Sequence, residues 1–230
     1  MKIGIIAAME EEAAKVISAM SGTKTETLGA ITYTSGKIGE NDVVCAVCGI
    51  GKVFAAMCAE VMIVVYKPDC IVNTGVGGTL THELGIGDVA ISLDTVQHDM
   101  DTTAFGDPMG LIPGIEVINI PASKELGAAI ERIANGMGIK TLIGTIASGD
   151  KFVGDSETKK KITDNFGAIS CEMEGAAVGQ VCYVNKIPYC VVRAISDGAD
   201  GEACEDYPAF EKKVAQISAE IVISLAKELK

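Results

Sequence analysis

Apolar and polar positions along the chain fall into alternating strand-length and helix-length blocks. Lys2 to Ala8 is an unbroken apolar run after its first residue, the pattern of a strand covered on both faces. Met9-Glu10-Glu11-Glu12 then opens a helix predicted to run to about Met20, with acidic residues in the first turn where the helix dipole favours them. Ile31 to Ile38 and Asp42 to Cys48 read as a hairpin around Gly39-Glu40-Asn41. Gly49-Ile50-Gly51-Lys52 leads into a helix predicted from Val53 to Tyr66 and stopped by Pro68. Asp69 to Thr74 is another buried strand, and Gly75-Val76-Gly77-Gly78 reads as the turn that leaves it.

Asp88 to Val96 is strand-like, and Gln97 to Pro113 reads as a long loop of the kind that often carries function. Ala122 to Met137 is predicted helical. Thr141 to Ala147 is a strand leading into Ser148-Gly149-Asp150-Lys151-Phe152-Val153, and Glu157 to Asn165 is a short polar helix. Ile169 to Glu172 and Tyr189 to Ile195 are strands around a helix from Gly175 to Val184. The last helix carries Phe210, Val214, Ile217, Ile221, Leu225 and Leu229, a stripe at spacings of three and four. No linker or repeat interrupts the pattern. Residues 1–230 therefore read as one α/β domain with a mostly parallel core sheet and one hairpin.

Charge narrows the partners. With 19 basic and 31 acidic residues the net charge is −12, the reverse of what a nucleic-acid footprint or an anionic membrane requires. Lys159-Lys160-Lys161 reads as a solvated helix face. Mean hydropathy is +0.33, yet no apolar run reaches the ~18 residues of a membrane span. The N-terminus meets Glu10 too early for a secretory signal, so the expected location is the cytoplasm. Eight cysteines are then expected as reduced thiols. Cys45 and Cys48 form a CxxC, but positions i and i+3 of a strand face opposite sides, so they read as core packing. His82 and His98 are isolated. Neither a metal nor an organic cofactor is expected.

Polar clusters gather where chemistry is usually found. Met9 to Glu12, Gly49 to Gly51, Gly75 to Gly78, Ser148 to Val153, Glu172 to Glu174 and Arg193 to Asp197 all follow or end predicted strands. In open α/β sheets ligand crevices form at such ends. The glycine cluster is not GxGxxG, and P-loop, GxSxG and HExxH patterns are absent from the sequence. A crevice holding Glu12, Glu172, Glu174, Asp197 and Arg193 suits acid–base work on a polyhydroxylated ligand. Carboxylates accept from ribose hydroxyls and stabilise an oxocarbenium-like transition state. A protonated carboxyl can donate to a leaving group while an ionised one polarises water. From spacing alone a second reading stays open, with Glu12 a helix N-terminal residue and Asp197 a turn or helix cap.

Several longer motifs carry a resemblance. KIGIIAAMEEE opens the chain, followed by GIGKV at Gly49 to Val53, KPDCIVNTG at Lys67 to Gly75 and HDMDTTAFG at His98 to Gly106. SGDKFV at Ser148 to Val153, CEMEGAA at Cys171 to Ala177 and VVRAISDGAD at Val191 to Asp200 complete the set. Over essentially its whole length the chain resembles the 5′-methylthioadenosine/S-adenosylhomocysteine nucleosidases of the purine nucleoside phosphorylase-like superfamily. The resemblance implies a three-layer αβα sandwich with a mixed, mostly parallel central sheet. It also implies hydrolysis of the N-glycosidic bond of those nucleosides and of 5′-deoxyadenosine, releasing adenine.

By that resemblance Glu12 is the general base for water and Asp197 the acid that protonates adenine N7. Ser196 would orient Asp197, Glu174 would hold the ribose hydroxyls, Met173 would pack on the nucleoside, and Arg193 would stand near the water. Phe152 would stack on adenine and the Val153 backbone would read its edge. Met9, Ile50 and Tyr207 would line the 5′-alkylthio pocket, with Val76, Gly78 and Glu172 among the other binding positions. Phe105 and Pro113 would reach into the site of a partner subunit, which implies a homodimer. Two departures stand out: Val76 where the family commonly has Ser, and an Asp107-Pro108-Met109 loop without the usual aromatic. The rival activities are phosphorolysis, hydrolysis of a futalosine-type nucleoside, and non-catalytic nucleoside binding. A phosphate site wants several donors, whereas this crevice offers Arg193 among glutamates.

Overall fold

The computed structural model describes residues 1–230, the side chain of Cys204 excepted. β1 (Lys2–Ala7) opens the chain, and its side chains alternate as a strand's must. Ile3, Ile5 and Ala7 enter one apolar cluster and Ile6 the other. α1 (Glu10–Ser18) is followed by a meander of β2 (Ser21–Leu28), β3 (Ile31–Ile38) and β4 (Asn41–Val47), each antiparallel to the next. The predicted hairpin is present, with Gly39-Glu40 as its turn. β2 has no counterpart in the sequence reading. It forms one end of the sheet order and is exposed along most of its length. An edge strand of this kind needs no apolar alternation, and its Lys24 and Glu26 discourage pairing with other chains.

β4 lies parallel to β1, and β1 parallel to β5 (Cys70–Thr79). The crossover is α2 (Lys52–Val61), which runs on into a π-helical turn over Met62–Tyr66. Gly75 to Gly78 do not form the predicted turn. β5 continues through them to Thr79, with all ten residues buried. The reason is crowding on both sides of the strand. A Cβ on Gly75 would run into the Glu12 carboxylate, and one on Gly78 would lie 2.8 Å from Asp197 Oδ1. Glycine inside a strand commonly marks such close approach.

β10 (Tyr189–Asp197) pairs parallel with β5, and β6 (Val89–Gln97) pairs antiparallel with β10. β8 (Thr141–Ser148) runs parallel to β6, and β9 (Ser170–Glu172) parallel to β8. β9 then closes antiparallel onto the end of β5 through Gly78–Cys171 and Thr79–Ser170. The order β5-β10-β6-β8-β9-β5 is therefore a closed ring, with β1 and the meander extending from it. A short β7 (Ile120–Pro121) adds to β6. The sheet is mixed, with parallel pairing through its centre. It is not the open sheet on which the grouping of polar strand ends was based: β8 and β9 oppose β5, and curling brings their ends together.

α3 (Lys124–Gly136), α4 (Ser156–Phe166), α5 (Gly175–Asn185) and α6 (Ala203–Glu228) complete the chain. α1, α3 and α6 cover one face of the sheet, and α2 and α5 the other. α4 seals a smaller cluster around Val96, Ala147 and Cys171. Cys45 belongs to the first face and Cys48 to the second, as the strand period requires. Lys160 and Lys161 pair along α4 with Asp164 and Glu157 on its exposed side, whereas Lys159 donates to the Gly198 carbonyl. Among the described residues no helix is long and apolar enough to cross a membrane.

Candidate active site

A cavity of about 420 Å³ opens beside the ends of β1, β5, β9 and β10, within the range of small-molecule sites. Met9 and Glu12 come from the start of α1, Val76 and Gly78 from β5, and Ser196 and Asp197 from the end of β10. The turn from β9 into α5 supplies Glu172, Met173 and Glu174. The loop after β8 supplies Phe152 and Val153, while Ile50 and Tyr207 stand at the mouth. Gly77, Lys151 and Cys171, which lie in the clusters and motifs noted in the sequence, and Ala8 also line the cavity. Phe105, 87% exposed, and Pro113 lie on the surface segment between β6 and β7, outside this chain's own cavity.

Glu12 is the one buried residue of the acidic triplet at the start of α1. Its Oε2 accepts the N–H groups of Ala8 at 2.9 Å and Met9 at 3.0 Å, and its Oε1 accepts that of Val76 at 3.0 Å. The side chain reaches back to the helix start, as a third-position glutamate does in a capping box, while lining the cavity. Glu12 is thus a helix N-terminal residue and at the same time part of the cavity wall. Burial pushes its carboxyl above the ordinary range, while Arg193 and the three N–H donors pull it back. A carboxyl restrained in this way, when ionised, is placed to accept a proton from water in the cavity.

Arg193 differs from the expected position. It is 1% exposed and lies behind the cavity wall rather than on it. Its guanidinium bonds Glu172 Oε2, donates to the side-chain oxygen of Asn73 at 2.6 Å, and lies 3.8 Å from Glu174 Oε2. The β5 register places Arg193 opposite Gly75, and its side chain runs from there to Glu172 and Asn73. Its first perturbation is burial, which lowers its basicity, but Glu172, Glu174 and Glu12 together raise it. The cation is what makes three neighbouring buried carboxyls tolerable.

Glu172 and Glu174 are neighbours with different tasks. Glu172 Oε2 accepts the N–H groups of Glu174 at 3.0 Å and Gly175 at 2.7 Å as well as Arg193, and its Oε1 takes the Ser148 hydroxyl. Its oxygens are committed to the protein, so it holds the turn that begins α5. Glu174 is less occupied: Oε1 accepts the N–H of Gly51 at 2.8 Å. Burial first, then the charge of Glu172, pushes Glu174 up to about 8, against Arg193 and the Gly51 N–H. Ser148, from one of the polar clusters of the sequence, and Asn73, which is in none of them, anchor this network. The signal for Asn73 was there, a polar side chain in the middle of an apolar strand.

Asp197 ends β10, where the register with β5 shifts between Ile195 and Asp197. Irregularities of this kind re-aim side chains at functional sites. Oδ1 accepts the N–H of Ala199 at 2.9 Å, and the Ser196 hydroxyl donates to Oδ2 at 2.8 Å. Burial raises the Asp197 carboxyl, and those two donors oppose it. Above it the Phe152 ring meets that of Tyr207 edge-on at 5.6 Å, and the Tyr207 hydroxyl points to Met9 Sδ at 3.4 Å. The cavity therefore combines an aromatic, apolar mouth with three incompletely bonded carboxyls, the layout of a site for a nucleoside with an apolar substituent.

A sequence profile described as "Phosphorylase superfamily" matches residues 2–227. The 5′-methylthioadenosine/S-adenosylhomocysteine nucleosidase of Shewanella loihica is 39% identical over 230 residues, covering 100% of both chains. The chain belongs to this nucleosidase family of the phosphorylase superfamily. Among solved structures, a mutant MTAN from Helicobacter pylori with 5′-methylthioadenosine in its active site superposes with a TM-score of 0.96 at 36% identity, over 99% of each chain. A futalosine hydrolase from the same organism gives 0.96 at 37% identity, over 100% of this chain and 98% of that one. Both family likenesses span the whole fold described above, including every segment that walls the cavity.

Proposed function

We propose that this nucleosidase-family member, acting as one domain over its 230 residues, hydrolyses the N-glycosidic bond of 5′-methylthioadenosine and S-adenosylhomocysteine. Adenine and the 5-substituted ribose are the products, and 5′-deoxyadenosine is a further substrate. The observation that carries the reading is the placement of Glu12 and Asp197, both buried, both raised and both restrained by hydrogen bonds, Glu12 by three backbone N–H groups and Asp197 by the Ala199 N–H and the Ser196 hydroxyl, in one cavity with Glu174. Asp197 donates its proton to adenine N7, so the base departs neutral as the C1′–N9 bond breaks. Water attacks C1′ and passes a proton to Glu12. Glu174 accepts from the ribose hydroxyls, Phe152 and Met173 flank the ligand, and the Val153 backbone meets the adenine edge. Arg193 acts from behind, by holding Glu172 and Glu174.

Phosphorolysis finds little support in the lining. Arg193 is engaged by carboxylates, and Lys151 donates to Thr158 at 2.8 Å beside Asp155. A futalosine-type nucleoside is the second reading, favoured by the likeness to a futalosine hydrolase. We also propose a homodimer in which Phe105 and Pro113 approach the partner's mouth, and a cytoplasmic location, supported by buried, unpaired cysteines at the seven described positions. The test is a substrate panel of methylthioadenosine, adenosylhomocysteine, inosine and a futalosine, each with and without phosphate. Highest kcat/KM on the two thioether nucleosides without phosphate supports the reading; preference for the futalosine overturns it.

A further inference from the structure

The two loops that form the cavity mouth come from distant parts of the chain and are joined outside it. Lys52 N–H donates to Asp150 Oδ1 at 2.8 Å, and Asp150 N–H donates to Asp99 Oδ2 at 2.9 Å. Lys52 Nζ closes the ring, reaching Asp99 Oδ1 at 2.5 Å and Gln97 Oε1 at 3.1 Å. Asp150 thus supplies the acceptor at the start of α2, where Gly51 has no side chain to offer. Gly51 adopts φ 101°, and a Cβ there would stand 3.0 Å from Asp150 Oδ1; glycine satisfies both demands. On the other side a Cβ on Gly149 would collide with the buried His98 imidazole, which fixes where the Asp150 loop leaves β8.

We propose that Lys52, Asp99 and Asp150 form a positioning clamp that sets how Glu174 and the two mouth loops present themselves to the nucleoside. Gly51, whose N–H holds Glu174 Oε1, is flanked by Ile50 in the wall and Lys52 in the clamp. Asp150 is followed by Lys151, Phe152 and Val153, which also line the cavity. Fixing Lys52 to Asp150 therefore fixes the Gly51 N–H, and sets the Ile50 loop relative to the Phe152 loop. None of the three clamp residues touches the reacting atoms, so the clamp acts on binding more than on the chemical step. This inference rests on the proposed nucleosidase reading.

The experiment compares Asp150→Ala, Asp150→Asn and Asp99→Asn with the wild type. Asp150→Ala is expected to raise KM for methylthioadenosine about tenfold with kcat within about threefold, the scale of one lost charge-assisted bond. Asp150→Asn keeps the Oδ1 acceptor and is expected to restore KM. Lys52→Met combined with Asp150→Ala should bind no worse than Asp150→Ala alone, since contacts in one unit are not additive. Amide exchange over residues 49–52, read without substrate, should be at least about tenfold faster in Asp150→Ala and Asp99→Asn. Failure of the wild type to cleave methylthioadenosine counts against the nucleosidase reading and leaves the exchange result to judge the clamp. Unchanged KM and unchanged exchange in Asp150→Ala, or losses that Asp150→Asn does not rescue, overturn it.

Discussion

Glu12 Oε1 accepts the backbone N–H of Val76 at 3.0 Å, joining the first helix to β5 across the cavity floor. The bond uses no side chain of residue 76. The family's usual serine is therefore not needed to hold Glu12 in place, and the valine adds apolar lining. Val76→Ser is expected to keep kcat/KM within about threefold, a change below ~1 kcal/mol. Glu12→Gln keeps the volume but loses the proton acceptor, with an expected fall in kcat of about 10²–10⁴. Steady-state kinetics on methylthioadenosine check both; a large loss in Val76→Ser would mean that its side chain matters in a way the backbone bond does not explain.

Asp197 is held by Ser196 and the Ala199 N–H in a buried setting that favours its protonated form. Asp197→Asn retains an acceptor for Ala199 but has no acid proton. The expected outcome is a kcat lower by about 10²–10⁴ with substrate Kd within a few fold. Calorimetric titration alongside turnover separates the two quantities. Near-normal turnover in this variant would remove Asp197 from the acid role.

Much of this arrangement could be read from the chain, and the misses share a cause. Strands with apolar runs, the hairpin and the amphipathic last helix follow from local pattern. β2 escaped because an exposed edge strand needs no pattern. The extension of β5 through four residues that include three glycines escaped because close approach by Glu12 and Asp197 is a tertiary fact. Likewise, the residue types located Glu12, Glu174 and Asp197, yet nothing local said that Arg193 would turn behind the wall to face Glu172. Ring closure of the sheet decides that, through pairings far apart in sequence.

Arg193 is the counter-charge for Glu172, with Glu174 and Glu12 close by. Removing it leaves buried carboxyls without compensation, and Arg193→Met is expected to cost about 3–5 kcal/mol of folding stability. Urea unfolding of the substrate-free protein measures this directly. A loss below ~1 kcal/mol would show that water or rearrangement replaces the guanidinium.

Stability should depend on pH through Glu174. Its carboxyl lies near 4.5 when unfolded and about 8 when folded. Between those values the folded chain holds a proton that the unfolded chain has released, so stability falls as pH rises. The penalty is absent below the unfolded value and complete above the folded one. Glu12 and Asp197, also raised, act with the same sign. Urea midpoints should therefore decline from pH 5 to pH 8, and Glu174→Gln should flatten the decline. An equal slope in the variant would assign the dependence to other groups.

Hydrolysis by the proposed Glu12 and Asp197 pair needs water alone and no phosphate. Its most direct test is adenine release from methylthioadenosine in phosphate-free buffer, with wild type, Glu12→Gln and Asp197→Asn measured side by side and the sugar product identified. Stoichiometric adenine and free methylthioribose are expected from the wild type, and little from either variant. Release that requires phosphate and yields a sugar phosphate, or release unaffected by both substitutions, would contradict it.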